Sequence, residues 1–418
     1  MADKELLEGI RILDFTMNSA SSLCTRILAD MGAEILKIER GPLGDPSRVV
    51  GVSPVDGSNA IFLHCNVRKK SLCVNLRNAE GVNLVKRLVP NVDAVVEGFT
   101  RGQSTSYGVD YESLRLIKPD IVYCSLSGYG QYGPYRDRVA VASVISAMGG
   151  MTYMTGERNG PPLQSPDNAD ANAAINGTVA VLAAILCHQR TGVGQHVDTS
   201  MLDSEIFISP SLETVAANEG MSDPQRLGRE SELIVPQRTF DCKGEYVQLQ
   251  VVMSGELSMW GRFCKAIGRP DMITDPRFDT PSHRCENRDE TIRIIQEWFD
   301  RQPSASEAVE YLQKHRVPCG EVKSPRQIFF DPNTRERELV RKVYHPEIDR
   351  EASVVFTPYK FYETPIRAKS GAPLLGQHNE EILKEYLSCT DDQIQELYSD
   401  EVIYQDPRVP ELRARGKI

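Results

Sequence analysis

The 418-residue sequence holds no C-x-x-C pair, no H-E-x-x-H, no G-x-G-x-x-G in the loop directly following its first apolar run and no Walker lysine loop. Its ten cysteines are scattered, and without a secretion signal they read as reduced, mostly buried thiols. Neither they nor the seven histidines stand at zinc-ligand spacing, so no metal centre is expected. T-G-V-G-Q at Thr191 is a poor phosphate loop, because it follows a helix instead of opening one. No apolar run reaches the roughly 18 to 20 residues of a membrane span. The longest candidate is interrupted by Asn176, Gly177 and His188, so no membrane partner is expected. The first residues, M-A-D-K-E-L-L-E-G, are polar and acidic with no signal-peptide core, which makes the cytoplasm the expected compartment. Repeats and low-complexity tracts are absent too. Positive charge is in deficit, with 48 Lys and Arg against 58 Asp and Glu and a net charge of −10. That balance argues against nucleic acid as the main partner, yet a local arginine cluster can still hold a phosphorylated cofactor.

What is present is an alternation of strand and helix signals in the first half. Residues 9–16, 33–39, 71–76, 93–98 and 120–127 read as short buried strands. Residues 19–31, 78–89 and 111–117 carry apolar residues at helical spacing between them. Such alternation predicts an α/β fold with a doubly wound, parallel, Rossmann-like sheet. Ligands bind beyond the carboxyl ends of its strands, so the loops after Phe15, Glu39, Glu97 and Ser127 are the candidates. The expected division is 1–201 for the N-terminal part of this large domain and 202–234 for a polar connector. A smaller α+β domain follows over 235–322, opened by a hairpin turning at Lys243-Gly244. Residues 323–418 form a connector and a segment that returns to the large domain.

One carboxylate stands out. Asp170 sits just before a long alanine-rich helical run that ends at Thr191-Gly192. An aspartate there can cap the helix by accepting from first-turn amides. The helix dipole also favours its ionised form, the form a covalent acyl nucleophile needs. Taken alone, the position reads as a cap.

The rest of the chain adds to that. It resembles the family III CoA-transferases, the CaiB/BaiF group, along nearly its whole length. The segments that carry the likeness begin with L-E-G-I-R-I-L-D-F-T, then L-A-D-M-G-A-E-I-L-K-I-E-R-G-P-L-G-D-P-S-R. C-N-V-R-K-K-S-L-C-V-N-L, D-A-V-V-E-G-F-T-R-G and S-L-S-G-Y-G-Q-Y-G-P-Y follow, then R-T-G-V-G-Q-H-V-D-T-S-M and A-P-L-L-G-Q-H-N-E-E-I-L.

The resemblance implies a transferase that moves CoA from an acyl-CoA to a small carboxylic acid, with no permanently bound cofactor. The family's nucleophilic aspartate, placed by its distance from the T-G-x-G-Q turn, falls on Asp170; Asp167 after Pro166 reads as a turn residue. By the same carry-over CoA would meet Ser19, Ala20, Arg40, Val74, Asn75, Arg77, Gly98, Phe99, Thr100 and Arg138. Arg101 and Arg136 are further candidates for its phosphates, while Lys69 and Lys70 are expected at the surface. Family members form interlocked dimers, so a homodimer is the expected assembly, with a hetero-oligomer as the variant.

The sequence also departs from that pattern. Formyl-CoA transferases carry His-x-Gln where this chain has Met17-Asn18-Ser19, and Tyr-Glu where it has Val141-Ala142. Ser106 replaces a CoA-binding arginine, and residues 251–256 keep only Gly255 of a glycine-rich gating loop. These changes point away from formate and oxalate and toward a bulkier or less charged acid. Two alternatives follow. The α-methylacyl-CoA racemase branch needs a histidine before Gly149, and none occurs between His64 and His188. A catalytically silent CoA-binding subunit of a hetero-oligomeric transferase would fit the losses at Ser106 and in the glycine loop.

Overall fold

Buried runs such as I-L-D-F and A-V-V-E make the inner strands of the sheet, as burial on both faces requires. The computed structural model describes residues 4–50, 59–166, 168–208, 220, 226, 228–231, 234–367 and 369–418. The chain forms two units, one of residues 1–150, 165–221 and 335–418, the other of 151–164 and 222–334.

The first unit carries a six-stranded parallel sheet. Its strands are β1 (Arg11–Phe15), β2 (Glu34–Arg40), β3 (Lys70–Val74), β4 (Ala94–Glu97), β5 (Val122–Ser127) and β6 (Gln195–Ser200). Their spatial order is β3-β2-β1-β4-β5-β6. The order reverses between β1 and β4, where Phe15 pairs with Glu97 in register. A crevice at such a switch point is where doubly wound sheets bind ligands. Alternate residues face opposite ways along each strand. Ile12, Val96 and Cys124 pack with Ala173, Ala174 and Val181 of a long helix. Leu13, Val95 and Tyr123 pack on the other side with Ile382, Leu383, Ile394 and Ile403 from the C-terminal segment. That segment also bonds to β3 and the loop after it, through Tyr404 N–H to Cys73 O at 3.1 Å and Asn75 N–H to Val402 O at 2.8 Å.

The long helix, Ala169–Thr191, corrects one expectation. Asn176, Gly177 and His188 do not interrupt it, and by length and composition alone it could cross a membrane. In this unit its buried residues instead recur at helical spacing, from Ala169 through Ala173, Gly177 and Val181 to Ile185. At Gly177 an added Cβ would lie 2.9 Å from Leu126 Cδ1 and 3.4 Å from Cys24 Sγ. The glycine thus lets the helix lie against β5 and the helix Ala20–Asp30. Gly192 ends it at φ +73°, a left-handed value that glycine adopts without penalty.

The second unit is built on an antiparallel sheet of β7 (Gln237–Cys242), β8 (Glu245–Gln250) and β9 (Cys319–Glu321). Lys243 and Gly244 form the hairpin turn, both at positive φ. Phe240, Trp260, Phe263, Phe299 and Leu312 fill its core. Residues 151–164, expected in the first domain, belong here. The cause is Arg226, whose guanidinium donates to the carbonyls of Tyr153, Glu157 and Gly160 at 3.2, 3.2 and 2.7 Å. Most of the proposed connector over 202–234 lies outside the described residues, although Met201–Phe207 is a helix of the first unit.

Candidate active site

The carboxyl ends of β1, β4 and β5 open onto a cavity of about 430 Å³. Met17 to Ser21 line it from the β1 side, Gly98 to Arg101 from β4, and Leu126 to Tyr129 from β5. Arg136, Arg138 to Ala142, Asp170 and Met201 complete the wall. The backbones of two loops pack closely at glycines: a Cβ on Gly98 would overlap Ser21 Oγ, and one on Gly128 would overlap Ala140 Cβ.

Asp170 stands in the first turn of the long helix, partly exposed to the cavity. It is not the cap. Asn168 holds that position, and Asp170 is the second helical residue. The first-turn position still places its carboxylate where the helix dipole favours negative charge. Ser19 Oγ donates a hydrogen bond to Asp170 Oδ2. Asp167 lies outside the described residues.

Ser19 is held by a buried ionic framework beneath its loop. Thr16 N–H donates to Asp14 Oδ1 at 2.7 Å, and Thr16 O accepts from Lys37 Nζ at 2.8 Å. Asn18, in the left-handed region at φ +58°, donates its N–H to Asp45 Oδ1 at 3.1 Å. Lys37 pairs with Asp45 at 2.9 Å, Lys69 with Asp14 at 3.1 Å and Arg48 with Glu39 at 2.7 Å. Three cations thus meet three anions, as burial demands. Burial would raise the Asp45 carboxyl, but the Lys37 ammonium and bonds from Ser47 override it and bring it to about 2. Lys69, expected at the surface, is wholly buried as the partner of Asp14; burial lowers its ammonium to about 8 against the pull of that carboxylate. Lys70 is only partly exposed and pairs with Glu34 at 2.6 Å and Glu381 at 2.7 Å.

Glu97 closes β4 under the next loop. Burial raises its carboxyl to about 7, although it accepts from Ser125 and from Phe99 N–H at 2.6 Å.

A second cavity, about 380 Å³, opens beyond β2 and β3 on the same edge of the sheet. Arg40 to Gly44, Asn75 to Arg77, Tyr107 and Tyr404 line it, two of them arginines and none acidic. Tyr404 lies over Gly41, where any Cβ would strike its ring. The candidate contacts therefore divide. Ser19, Ala20, Gly98, Phe99, Thr100 and Arg138 join Asp170 in the first cavity, and Arg40, Asn75 and Arg77 meet in the second. Val74 lines neither, because its side chain points into the core. Tyr404 lies some 330 residues from Asn75 in sequence, and only the return of the C-terminal segment brings them together.

One further expectation changes. Met17, Val141 and Ala142 do line the Asp170 cavity, yet Arg101, Arg136 and Arg138 share it, so its wall is cationic as well as apolar. Histidine is absent from the described lining of both cavities.

Known proteins resemble this chain along most of its length. The family model described as CoA-transferase family III matches residues 7–379. A human protein named succinyl-CoA:glutarate CoA-transferase is 33% identical over 403 residues, covering 96% of this chain and 90% of that protein. One from Haloarcula hispanica named succinyl-CoA:mesaconate CoA-transferase is 33% identical over 393 residues, covering 91% of this chain and 96% of its own. The crystal structure of a CAIB/BAIF family protein from Brucella suis superposes with a TM-score of 0.80 at 29% identity. That match covers 92% of this chain and all of the other.

Proposed function

The chain belongs to CoA-transferase family III and is a CoA-transferase, and from that premise we propose that it works through covalent intermediates on Asp170. The observation that carries the reading is Ser19 bonded to a first-turn carboxylate inside the switch-point cavity. Asp170 attacks the thioester carbon of the donor; the C–S bond breaks, CoA leaves as the thiolate, and a mixed anhydride remains. The thiolate then attacks the aspartyl carbon and expels the donor acid, giving an aspartyl-CoA thioester. The acceptor carboxylate repeats the two steps in reverse order and leaves as acyl-CoA with Asp170 regenerated. Every bond broken is replaced by one of similar energy, so no ATP is required. Each attack passes through an oxyanion.

The two cavities suit the two ends of CoA. Arg40, Arg77 and Asn75 would hold the nucleotide phosphates, arginine being suited to forked phosphate contacts. Ser19, Ala20, Gly98, Phe99, Thr100 and Arg138 would surround the pantetheine arm and the thioester. The names of both relatives pair succinyl-CoA with a dicarboxylate, and we assign the acceptor here to the same class. A homodimer would cover the apolar residues that the long helix leaves exposed, Ile175, Val179 and Leu186; sedimentation as a monomer at micromolar concentration would refute it.

The test is transfer from succinyl-CoA to a panel of carboxylic acids, with Asp170→Ala as control. The variant should lose at least about a thousandfold in turnover, since removing a covalent nucleophile abolishes the route. A wild-type protein that binds CoA but transfers to no acid would instead be a silent subunit.

A further inference from the structure

Asp137 stands between two guanidiniums beside the Asp170 cavity. Arg101 reaches its Oδ1 at 2.8 Å and Arg136 approaches its Oδ2 at 3.4 Å, so each carboxylate oxygen faces one arginine. Both arginines line the cavity that holds Ser19 and Asp170; Asp137 itself does not. They arrive from different elements, Arg101 from the loop after β4 and Arg136 from the segment after β5. All three side chains are substantially exposed, at 39%, 47% and 67% for Arg101, Arg136 and Asp137. Ion pairs this exposed add little to stability and exchange readily. The protein thus displays, at the wall of its reaction cavity, a carboxylate clamp filled by one of its own side chains.

We infer that Arg101 and Arg136 are the seat of the second carboxylate of a dicarboxylate substrate, with Asp137 holding that seat in the free enzyme. The inference rests on the reading of Asp170 as the transfer site, and it adds the residues that select the acid. While one carboxylate of the acceptor exchanges at Asp170, the other displaces Asp137 and takes the two guanidiniums. Forked N–H donors match a carboxylate's geometry and charge, which gives recognition that a chain end of CH₃ cannot receive. The same seat serves a succinyl donor, whose free carboxylate occupies the equivalent place. A monocarboxylate leaves Asp137 where it is and gains nothing from the clamp.

The test compares glutarate with valerate as acceptors and measures the Kd of free CoA, in wild type, Arg101→Met, Arg136→Met and Asp137→Asn. Wild type should prefer glutarate. Each arginine variant should lose about tenfold or more in the ratio of kcat/KM for glutarate to that for valerate, the effect of one lost charged hydrogen bond. Asp137→Asn removes the resident competitor and should lower KM for glutarate. A preference for valerate, an equal loss with both acids, or a loss confined to CoA affinity would overturn the assignment. Hydroxylamine trapping on Asp170 from succinyl-CoA, run in parallel, separates the two claims. Trapping intact with glutarate unaffected in the variants defeats the clamp alone, and no trapping in wild type defeats the underlying reading.

Discussion

Lys37 Nζ lies 2.9 Å from Asp45 Oδ2, and neither side chain reaches solvent. Through Thr16 O and Asn18 N–H the same pair grips the loop that carries Ser19 to Asp170. Removing one member of a buried pair leaves the other charged and alone, at a cost of about 3 to 5 kcal/mol. Lys37→Met should therefore lower unfolding free energy by about that much in urea at pH 7. The acid limb supplies a second readout. Asp45 is depressed from 3.8 to about 2, so its contribution is complete above the unfolded value and lost as pH falls toward 2. In Lys37→Met that loss should shrink. Acid limbs of equal depth would remove Lys37 as the cause.

Glu97 predicts the opposite slope. Burial raises its carboxyl from 4.5 to about 7, so the folded protein holds this proton more tightly than the unfolded chain. Stability from this group is present at low pH and declines as pH rises through that window. Glu97→Gln keeps an acceptor for Phe99 N–H and removes the titration. Its stability relative to wild type should grow by about 3 kcal/mol between pH 4.5 and 7, then level off. Parallel curves for the two proteins would contradict it.

Arg40 separates the two cavities experimentally. If the second cavity holds the nucleotide, Arg40→Ala should raise KM for succinyl-CoA about tenfold, as loss of a charged phosphate contact implies. Succinyl-pantetheine, which lacks the nucleotide, should show no change. Equal effects on both thioesters would move Arg40 to the reaction centre.

Local chemistry made much of this legible in the sequence. Strands such as A-V-V-E are buried throughout, while the register of Asp170 rests on the family resemblance, which counts back from the T-G-V-G-Q turn. What could not be read depended on distant partners. Lys69 looks like a surface lysine until Asp14, 55 residues away in sequence, is placed beside it. Asp170 reads as a cap because aspartate suits that role, yet it stands two residues past the cap position, held by Asn168, and lines the cavity. Residues 151–164 carry no marker of their own allegiance; Arg226 supplies it through three backbone carbonyls. Arg101 and Arg136 are visible in the sequence as charges, but their shared carboxylate is a property of the fold.

The central claim is that Asp170 is covalently acylated. Incubation with succinyl-CoA, trapping with hydroxylamine and peptide mass spectrometry should find the hydroxamate on Asp170, and should find none in Asp170→Asn. Continued CoA transfer with Asp170 unmodified, or with the adduct on another carboxylate, would contradict it.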